Sequence, residues 1–372
     1  MPVLYPDSGI GIIGGGQLGR MIVLECRRLG YSTSVLDPDP ECPAAQVAER
    51  AFHPDNAHRF ADNCNIATYE FEHVGIDTVR YVESKVKVSP ATSVLSIKQS
   101  RVTEKTYLAA RGFPVPRFWI LNDGSDIKTL IEKTAIVAKL SRGGYDGKGL
   151  YVIKDLKDFE RCRDALNTEM VAEEFVPFKK EISVICVRNE KGDTVTFPIA
   201  DNIHDKGILL YSSAPAIISK KAEKRACEIA SELAKALELT GILCVEMFLL
   251  ENDDLLINEF APRPHNSGHY TIDACDISQF EMLVRAICGL PMTKPVLLCH
   301  AAMLNILGKG AKNLDFPKLL SLPGIKVHLY GKKEVRERRK MGHINILGKT
   351  SEEVKEKLGC IQSLVTQGYG DL

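Results

Sequence analysis

The sequence is short of the features that mark several common classes of protein. It has 11 cysteines but no C-x-x-C motif, and an odd number without metal-ligand spacing argues against a disulfide framework or a zinc cluster. We therefore expect reduced cysteines packed in a core. Its apolar runs fall short of the roughly 18 residues that a transmembrane helix needs, so we expect no membrane partner.

Excess charge and internal repeats are missing as well. Lys and Arg together number 48, as do Asp and Glu, which argues against a nucleic-acid partner bound through bulk electrostatics. The first residues, MPVLYPDSGIGIIGGG, include no charged n-region, so we expect no signal peptide and a cytoplasmic protein. The 372 residues are 45% hydrophobic and 26% charged, which is typical of a globular protein with two or three domains.

Residues 9–37 read as a strand, a glycine turn, a helix and a second strand. Gly14, Gly16 and Gly19 match G-x-G-x-x-G, and Asp37 follows 18 residues after Gly19. These are the parts of a dinucleotide fingerprint, in which phosphate approaches the backbone at a helix N-terminus. The alternative is a turn that serves only tight strand–helix packing.

A further strand, CNIATYEF, ends in an acidic group. Glu70, Glu72 and His73 lie at or just after its end. Ligands of parallel sheets bind at the carboxyl ends of the strands, so we expect Glu70 to share an edge with Gln17, at the mouth of the glycine turn. The alternative is a charged strand end in solvent.

The stretch TAIVAKLSRGGYDGKGLYVI predicts two strands joined by a glycine-rich loop. The loop carries Arg142, Tyr145, Asp146 and Lys148 among four glycines. Such a loop can lie over phosphates and close as a lid, although it is not a Walker A motif because G-x-x-x-x-G-K-[ST] is absent. The alternative is a long exposed hairpin.

The runs VEMFLL and LLINEF, with ENDD between them, predict a hairpin. With a four-residue loop at Glu251–Asp254, Glu246 lies directly opposite Glu259, with Cβ atoms roughly 4.5–5.5 Å apart. Facing carboxylates repel, so a hard cation such as Mg²⁺ or Mn²⁺ is expected between them. The alternative is a hairpin whose glutamates point into water.

The segment after the hairpin, APRPHNSGH, concentrates polar side chains in a loop. Arg263, His265, Asn266 and His269 all lie within it. The Pro and Gly residues favour no regular element, so ligand contact explains this polar density better than a surface turn does.

The pattern divides the chain into three predicted domains, 1–92, 93–299 and 300–372. The first is a parallel α/β sheet, and the second begins with an amphipathic helical stretch at 92–112. The third consists of short strands with a basic run at Lys332–Lys340, for which a solvated strand end is the ordinary explanation.

Several motifs together resemble the ATP-grasp superfamily, and within it the branch that uses bicarbonate to carboxylate an aminoimidazole ribonucleotide in purine biosynthesis. The resemblance runs from about residue 9 to about residue 345. The motifs are GGGQLGRM (14–21), YEFEHV (69–74), GYDGKG (144–149), NEFAPRPHNSGHYTIDAC (258–275), SQFE (278–281), YGK (330–332) and RRKMGH (338–343). It implies an α/β and α+β architecture: an ATP-grasp fold with an N-terminal Rossmann-like domain and a small, mostly β C-terminal domain.

The resemblance also implies roles at the nucleotide site, with ATP and Mg²⁺ or Mn²⁺ as cofactors. The residues to which it assigns these roles are Lys105 and Lys139 at the phosphates, Glu173 and the backbone through Val176 at the adenine, Glu181 at the ribose, and Glu246 and Glu259 at the metal. Many members carry Asn two residues after the second metal glutamate, where this chain has Ala261. A second metal therefore needs another ligand.

The implied partners are 5-aminoimidazole ribonucleotide and bicarbonate. The implied contacts are Gln17, Glu70, Lys148, Lys332 and Arg339 for the ribonucleotide, Arg263, His265 and Asn266 for bicarbonate, and Tyr145 and Asp146 on the lid, with Asp146 as the base. Family members are commonly homodimers, and some are fused to a downstream mutase that is a separate protein elsewhere. Other ATP-grasp ligases, a nicotinamide oxidoreductase and a catalytically dead sensor stay open as alternatives.

Overall fold

The computed structural model describes residues 2–144, 148–205, 207–308, 310 and 314–366. In this part of the chain, no helix is long and apolar enough to cross a membrane. The strands form three sheets, and the predicted parallel sheet of the N-terminal region is confirmed.

The N-terminal sheet is parallel, with strand order β3-β2-β1-β4. Its strands are β1 (Gly9–Ile13), β2 (Ser32–Leu36), β3 (Arg50–Phe52) and β4 (Ile66–Tyr69). Its helices are α1 (Gln17–Arg28), α2 (Ala57–Asp62) and α3 (Ile76–Glu83), with a 3₁₀ turn at Pro54–Asn56. Every residue of β1 and β4 is buried, as expected for strands covered on both faces.

Two helices, α4 (Thr92–Lys98) and α5 (Arg101–Ala110), replace the single helical stretch predicted at 92–112. The break occurs because Ser100 is extended and its side chain accepts a hydrogen bond from the amide of Thr103, which caps α5. Apolar periodicity continues through the break, so the sequence pattern did not reveal it.

The second sheet is antiparallel, with strand order β5-β8-β6-β7. Its strands are β5 (Phe118–Leu121), β6 (Ile136–Leu140), β7 (Leu150–Ile153) and β8 (Met170–Glu174). The helices α6 (Ile127–Ile131) and α7 (Leu156–Cys162) and a 3₁₀ turn at Arg163–Leu166 belong to this region. The predicted strand–loop–strand around the glycine loop is confirmed, because β6 pairs with β7.

The third sheet has nine antiparallel strands in the order β14-β13-β9-β11-β12-β15-β17-β16, with β10 beside β9. Its strands are β9 (Lys180–Arg188), β10 (Thr194–Thr196), β11 (Ala200–Asp205), β12 (Ile208–Ala214), β13 (Gly241–Leu249), β14 (Leu255–Ala261), β15 (His300–Leu307), β16 (Ile325–Leu329) and β17 (Lys340–Gly348). The helices of this region are α8 (Lys220–Ala236), α9 (Thr271–Ala274), α10 (Gln279–Ile287), α11 (Phe316–Leu320) and α12 (Ser351–Thr366), with a 3₁₀ turn at Asn266–Gly268.

The strands after residue 300 extend this sheet, because β15 pairs with β12. The predicted limit at 299/300 therefore crosses a continuous sheet, and the two domain boundaries stay predictions. The 16-residue helix α12 packs against β15 and β17, so the C-terminal region contains more helix than predicted.

Alternation along β13 gives its two faces different partners. Leu243, Val245 and Met247 pack in the core beneath α8. Cys244 and Glu246 point to the opposite face, toward the loop that follows β14. The hairpin is thus anchored by an apolar core on one side and presents polar groups on the other.

Candidate functional site

A cavity of about 630 Å³ is lined by residues of the second and third sheets and by residues that follow β1 and β4 of the first sheet, a volume typical of small-molecule sites. Most predicted site residues lie in its wall: Gln17, Glu70, Lys139, Lys148, Glu173, Val176, Glu181, Glu246, Glu259, Arg263, His265 and Asn266. Lys105, Lys332 and Arg339 are not among the lining residues. Tyr145 and Asp146 lie outside the described residues.

The structure confirms that Glu246 pairs with Glu259 across the hairpin. The predicted loop length was nevertheless wrong. Leu249 pairs with Leu255, so the loop has one residue more than predicted, and a bulge between Glu246 and Met247 restores the register. The bulge inserts Asn258, whose amide oxygen accepts a hydrogen bond of 2.8 Å from the Lys139 ammonium. The two deviations compensate each other, and the glutamates face each other as expected.

Each of the facing glutamates has a cationic or imidazole partner. The His265 ring nitrogen Nε2 lies 2.9 Å from a Glu246 oxygen, and the Lys98 ammonium lies 2.9 Å from a Glu259 oxygen. Burial opposes ionisation of Glu246, but the contact with His265 and the attraction of His204 together lower its pKa below the usual value. Burial is likewise outweighed at Glu259, where Lys98 and Arg101 hold the pKa well below the usual range. Both carboxylates are therefore available as anionic oxygen ligands.

Lys98 is buried, with 8% of its surface exposed. Its ammonium contacts both oxygens of Glu104, at 3.0 and 3.1 Å, in addition to Glu259. Burial lowers the pKa of Lys98, but Glu104 and Glu259 raise it by more. Glu104 in turn accepts a hydrogen bond from the amide of Phe260. This chain of contacts fixes the Glu259 side chain in β14.

A second acid, Glu173, is held between two lysines. Its oxygens lie 3.1 Å from the Lys105 ammonium and 2.9 Å from that of Lys139. Lys105 is 2% exposed and also donates to the carbonyl of Asn258 at 2.7 Å. The structure therefore places Lys105 behind the cavity wall, although the resemblance assigned it to the phosphates. Arg101 lines the cavity instead, and its guanidinium donates to the carbonyl of Leu140 at the base of the glycine loop.

The opposite wall comes from the segment after β8. Glu174, Phe175 and Val176 line it, and Phe178 stacks on Phe248 with ring centroids 4.8 Å apart. Glu181 also lines this wall, and its carboxylate lies 2.7 Å from the Nδ1 nitrogen of His204. Aromatic faces beside a strand end and an acid form a suitable surface for a planar base and a sugar hydroxyl.

The glycine turn after β1 already has its own anionic partners. Glu70 accepts hydrogen bonds from the amides of Gly16 at 2.9 Å and Gly19 at 3.1 Å. Asp37 accepts one from the amide of Gly15 at 2.7 Å. Burial raises the pKa of Glu70, and these amide hydrogen bonds oppose the rise. The amides that would hold a dinucleotide phosphate are thus bonded to carboxylates, which disfavours a nicotinamide site.

The loop after β14 folds back over the hairpin. Arg263 forms a bidentate pair with Glu72 and donates to the carbonyl of Pro264. Burial opposes ionisation of Glu72, but Arg263 prevails and lowers the pKa of Glu72 to about 2. Asn266 exchanges amide hydrogen bonds of 3.0 and 2.6 Å with Asn305.

His269 is fully buried, and its Nδ1 lies 3.1 Å from the side-chain amide of Gln279. Gln279 also donates to the carbonyl of His265. His269 therefore supports the loop, whereas Arg263, His265 and Asn266 reach the cavity.

The basic run near residue 340 is turned partly away from the cavity. Lys332 donates to the carbonyl of Lys340 at 2.8 Å, and Arg339 donates to the carbonyl of Glu334 at 2.9 Å. Lys340, the last residue of the basic run, lines the cavity, although the resemblance assigned it no role.

Sequence reasoning also missed Lys98, Arg101 and Asn258 in the wall. The first two flank the helix break, and Asn258 lies within the LLINEF strand, where only an unforeseen bulge turns it inward.

Family models match most of the chain. A ribonucleotide synthetase preATP-grasp domain matches residues 8–99, an ATP-grasp domain matches 106–280, and a phosphoribosylaminoimidazole carboxylase C-terminal domain matches 301–357. The chain is 42% identical over 359 residues to the N5-carboxyaminoimidazole ribonucleotide synthase of Aquifex aeolicus (strain VF5), covering 96% of each. It is 36% identical to the bifunctional purine synthesis protein purC/E of Dictyostelium discoideum, covering 92% of this chain and 37% of that protein.

Solved structures agree with this assignment. An ADP complex of N5-carboxyaminoimidazole ribonucleotide synthetase superposes with a TM-score of 0.93 at 40% identity, over 97% of each chain. The Aspergillus clavatus synthase in complex with ADP and 5-aminoimidazole ribonucleotide superposes with a TM-score of 0.89 at 29% identity, over 98% of this chain and 100% of that chain. From its sequence, its three sheets and its cavity, the chain belongs to the N5-carboxyaminoimidazole ribonucleotide synthase family, within the ATP-grasp enzymes.

Proposed function

We propose that the cavity carries out ATP- and bicarbonate-dependent carboxylation of 5-aminoimidazole ribonucleotide, releasing ADP and phosphate. The observation that carries the proposal is the convergence of four sets of groups on one cavity: the facing glutamates, the Lys139–Glu173 pair, the loop with Arg263, and the Glu70 edge. Family membership supports the same reaction, which belongs to de novo purine biosynthesis.

Glu246 and Glu259 are proposed as ligands of Mg²⁺ or Mn²⁺. They fit a hard cation because both are held ionised and face each other with oxygen donors toward the cavity. A bound metal neutralises charge on the nucleotide phosphates. Ala261 offers no side-chain ligand, so a second metal has to use another group, such as the Asn258 amide one residue before Glu259.

The nucleotide is proposed to lie between the second and third sheets. The resemblance assigned Glu173 to the adenine, but its carboxylate is paired with Lys105 and Lys139. The base would therefore lie against the backbone from Glu174 to Val176, with the ribose at Glu181. Lys139 and Arg101 line the cavity on the side of the glycine loop, which supports a role for both at the phosphates. Glu173 and Lys105 then act behind Lys139 and keep its ammonium directed toward the nucleotide.

Bicarbonate is proposed to bind at Arg263, His265 and Asn266. Glu72 and Pro264 use three of the five N–H donors of the Arg263 guanidinium, and the remaining two can hold a small anion. Glu72 fixes the plane of the guanidinium, so the anion is oriented as well as bound. Proximity of bicarbonate to the γ-phosphate is the main requirement for phosphoryl transfer.

In the proposed reaction, a bicarbonate oxygen attacks the γ-phosphorus, and ADP leaves. The resulting carboxyphosphate breaks its C–O bond to give carbon dioxide and phosphate. The exocyclic amine of the ribonucleotide attacks carbon dioxide and loses a proton to a base, for which Asp146 is proposed. Closure of the glycine loop, with Tyr145 and Lys148, would exclude water that otherwise hydrolyses the acyl phosphate.

The ribonucleotide is proposed to lie at Gln17 and Glu70, with its 5′-phosphate at Lys332 and Arg339. Support comes from the position of Gln17 and Glu70 in the wall and from the attraction between Lys332 and Glu70. Because Arg339 contacts Glu334, the segment from 331 to 339 has to turn toward the cavity when the phosphate binds.

The proposal is tested by ADP release with ATP, Mg²⁺ and bicarbonate, with and without 5-aminoimidazole ribonucleotide. We expect release that depends on the ribonucleotide. Release that depends on formate and another acceptor would favour a different ATP-grasp ligase, and nicotinamide reduction would favour an oxidoreductase. We also propose a cytoplasmic homodimer, for which sedimentation of the purified protein gives the mass.

A further inference from the structure

Three side chains that can bind a metal lie together beneath the loop that follows β14, and one of them is Glu246 of the facing pair. The thiol sulfur of Cys244, a carboxylate oxygen of Glu246 and a ring nitrogen of His265 all lie within 4.8 Å of one another. Among the residues that the structure describes, no other trio of His, Cys, Asp and Glu side chains comes this close.

The fold places these groups together for simple reasons. Cys244 and Glu246 alternate along β13, so both point to the same face of the sheet. His265 follows β14 and returns over that face, where Ser267 lies 2.8 Å from its Nδ1 nitrogen. The other ring nitrogen, Nε2, is thereby directed at Glu246.

The donors differ in kind from those that Mg²⁺ prefers. A thiolate, an imidazole and one carboxylate are the ligands of zinc, and three protein ligands with one open position are typical of an accessible zinc site. Tetrahedral zinc keeps its ligand atoms roughly 3.3–3.7 Å apart. The 2.9 Å distance between His265 and Glu246 would lengthen slightly to admit the ion. The Cys244 sulfur would complete the set from the same face of β13.

We propose that Cys244, Glu246 and His265 form an inhibitory site for zinc and similar borderline-soft divalent cations. The ion would enter from the cavity, because Glu246 and His265 line it. Binding there takes Glu246 from the proposed magnesium site and His265 from the proposed bicarbonate site. Divalent zinc binds nitrogen and sulfur donors more strongly than magnesium does, so zinc inhibits at concentrations far below those of magnesium.

The direct test uses Co²⁺ as a spectroscopic substitute for zinc, added to the metal-free protein. A cobalt–thiolate charge-transfer absorption is expected in the wild type and is expected to be absent in Cys244→Ala. Cys186→Ala is the matched control, because Cys186 is equally buried in the same sheet but faces the core beneath α8. Cys244→Ser provides a second variant of nearly unchanged volume. An equal absorption in all four proteins would overturn the proposal.

The second test measures ADP release at fixed excess Mg·ATP against buffered free Zn²⁺. The inhibitory zinc concentration is expected to rise by at least about tenfold in Cys244→Ala and Cys244→Ser, with basal activity retained, and to stay unchanged in Cys186→Ala. Equal zinc sensitivity in the wild type and both Cys244 variants would contradict the proposal. This second test rests on the proposed carboxylation, whereas cobalt binding is measured without turnover and can succeed or fail independently.

Discussion

The buried contact of Lys98 with Glu104 and Glu259 leads to a quantitative prediction about stability. Replacing Lys98 by Met keeps an unbranched side chain of similar length but removes the ammonium, leaving Glu104 as a buried carboxylate that is 1% exposed. Removing one partner of a buried ion pair costs about 3–5 kcal/mol. We therefore expect Lys98→Met to lower the free energy of unfolding by about that amount at neutral pH.

The double variant Lys98→Met/Glu104→Gln separates two contributions to the loss of stability, the changed packing at Lys98 and the uncompensated charge of Glu104. Glu104→Gln alone should cost less, about 1–2 kcal/mol, because Lys98 keeps Glu259 and the amide oxygen can still accept from Phe260. Lys98→Met/Glu104→Gln should be more stable than Lys98→Met alone, since it no longer buries an unpaired carboxylate. The assay is urea unfolding of all four proteins followed by circular dichroism.

The loss of stability in Lys98→Met should also depend on pH. Burial outweighs the attraction of Lys98 and raises the pKa of Glu104 in the folded protein. A carboxyl with a raised folded-state pKa contributes stability fully below its unfolded pKa and loses it as pH rises through the folded value. Removing Lys98 raises the folded pKa further, so the deficit of Lys98→Met should be small near about pH 5 and larger near about pH 8. A deficit below about 1 kcal/mol at both pH values, or a double variant no more stable than the single one, would refute the reasoning.

Three further predictions concern turnover. Glu259→Gln should abolish ADP release, with the fold intact because Lys98 still pairs with Glu104. The control Glu251→Gln, in the exposed loop, should release ADP at the normal rate. Near-normal activity of Glu259→Gln would contradict the assignment of Glu259 as a metal ligand. Arg339→Ala should raise the KM for the ribonucleotide far more than that for ATP, with Arg336→Ala as the control; equal effects on both substrates would argue against a phosphate clamp. Asp146→Asn should slow carboxylation or uncouple it from ADP release, and full, coupled activity would exclude Asp146 as the base.

The hairpin shows how far sequence reasoning reached. The pairing of Glu246 with Glu259 was predicted correctly, but from a loop that was one residue too short and without the bulge at Asn258. A bulge changes which residue faces inward without leaving a clear mark in the apolar pattern. The pair was recoverable from the sequence, whereas the Asn258 contact with Lys139 was not.

Helix α5 shows a different limit. Arg101 and Lys105 are four residues apart, so they share one helix face, and the pattern cannot say which of them reaches a ligand. The break at Ser100 places Arg101 at the start of the helix, beside the glycine loop, and leaves Lys105 beneath the hairpin. Tertiary packing therefore determines which of these two cationic side chains reaches the cavity.

Charge-rich and apolar stretches conceal side-chain direction in the same way. The basic run was interpreted as a solvated strand end, and only the resemblance assigned Lys332 and Arg339 to a phosphate, yet Arg339 contacts Glu334 and Lys340 lines the cavity. Cys244 lies in the apolar sequence GILCVEM, and this context predicted a core cysteine. Its approach to Glu246 and His265 depends on the return of the loop after β14, which no local pattern shows.

The central claim is that bicarbonate is phosphorylated in the cavity before it carboxylates the ribonucleotide. Turnover with ¹⁸O-labelled bicarbonate tests this directly, with mass analysis of the released phosphate. Since the attacking bicarbonate oxygen stays on phosphorus when carboxyphosphate breaks down, we predict one labelled oxygen in the phosphate for each turnover. Phosphate without label, formed during ribonucleotide-dependent carboxylation, would contradict the account.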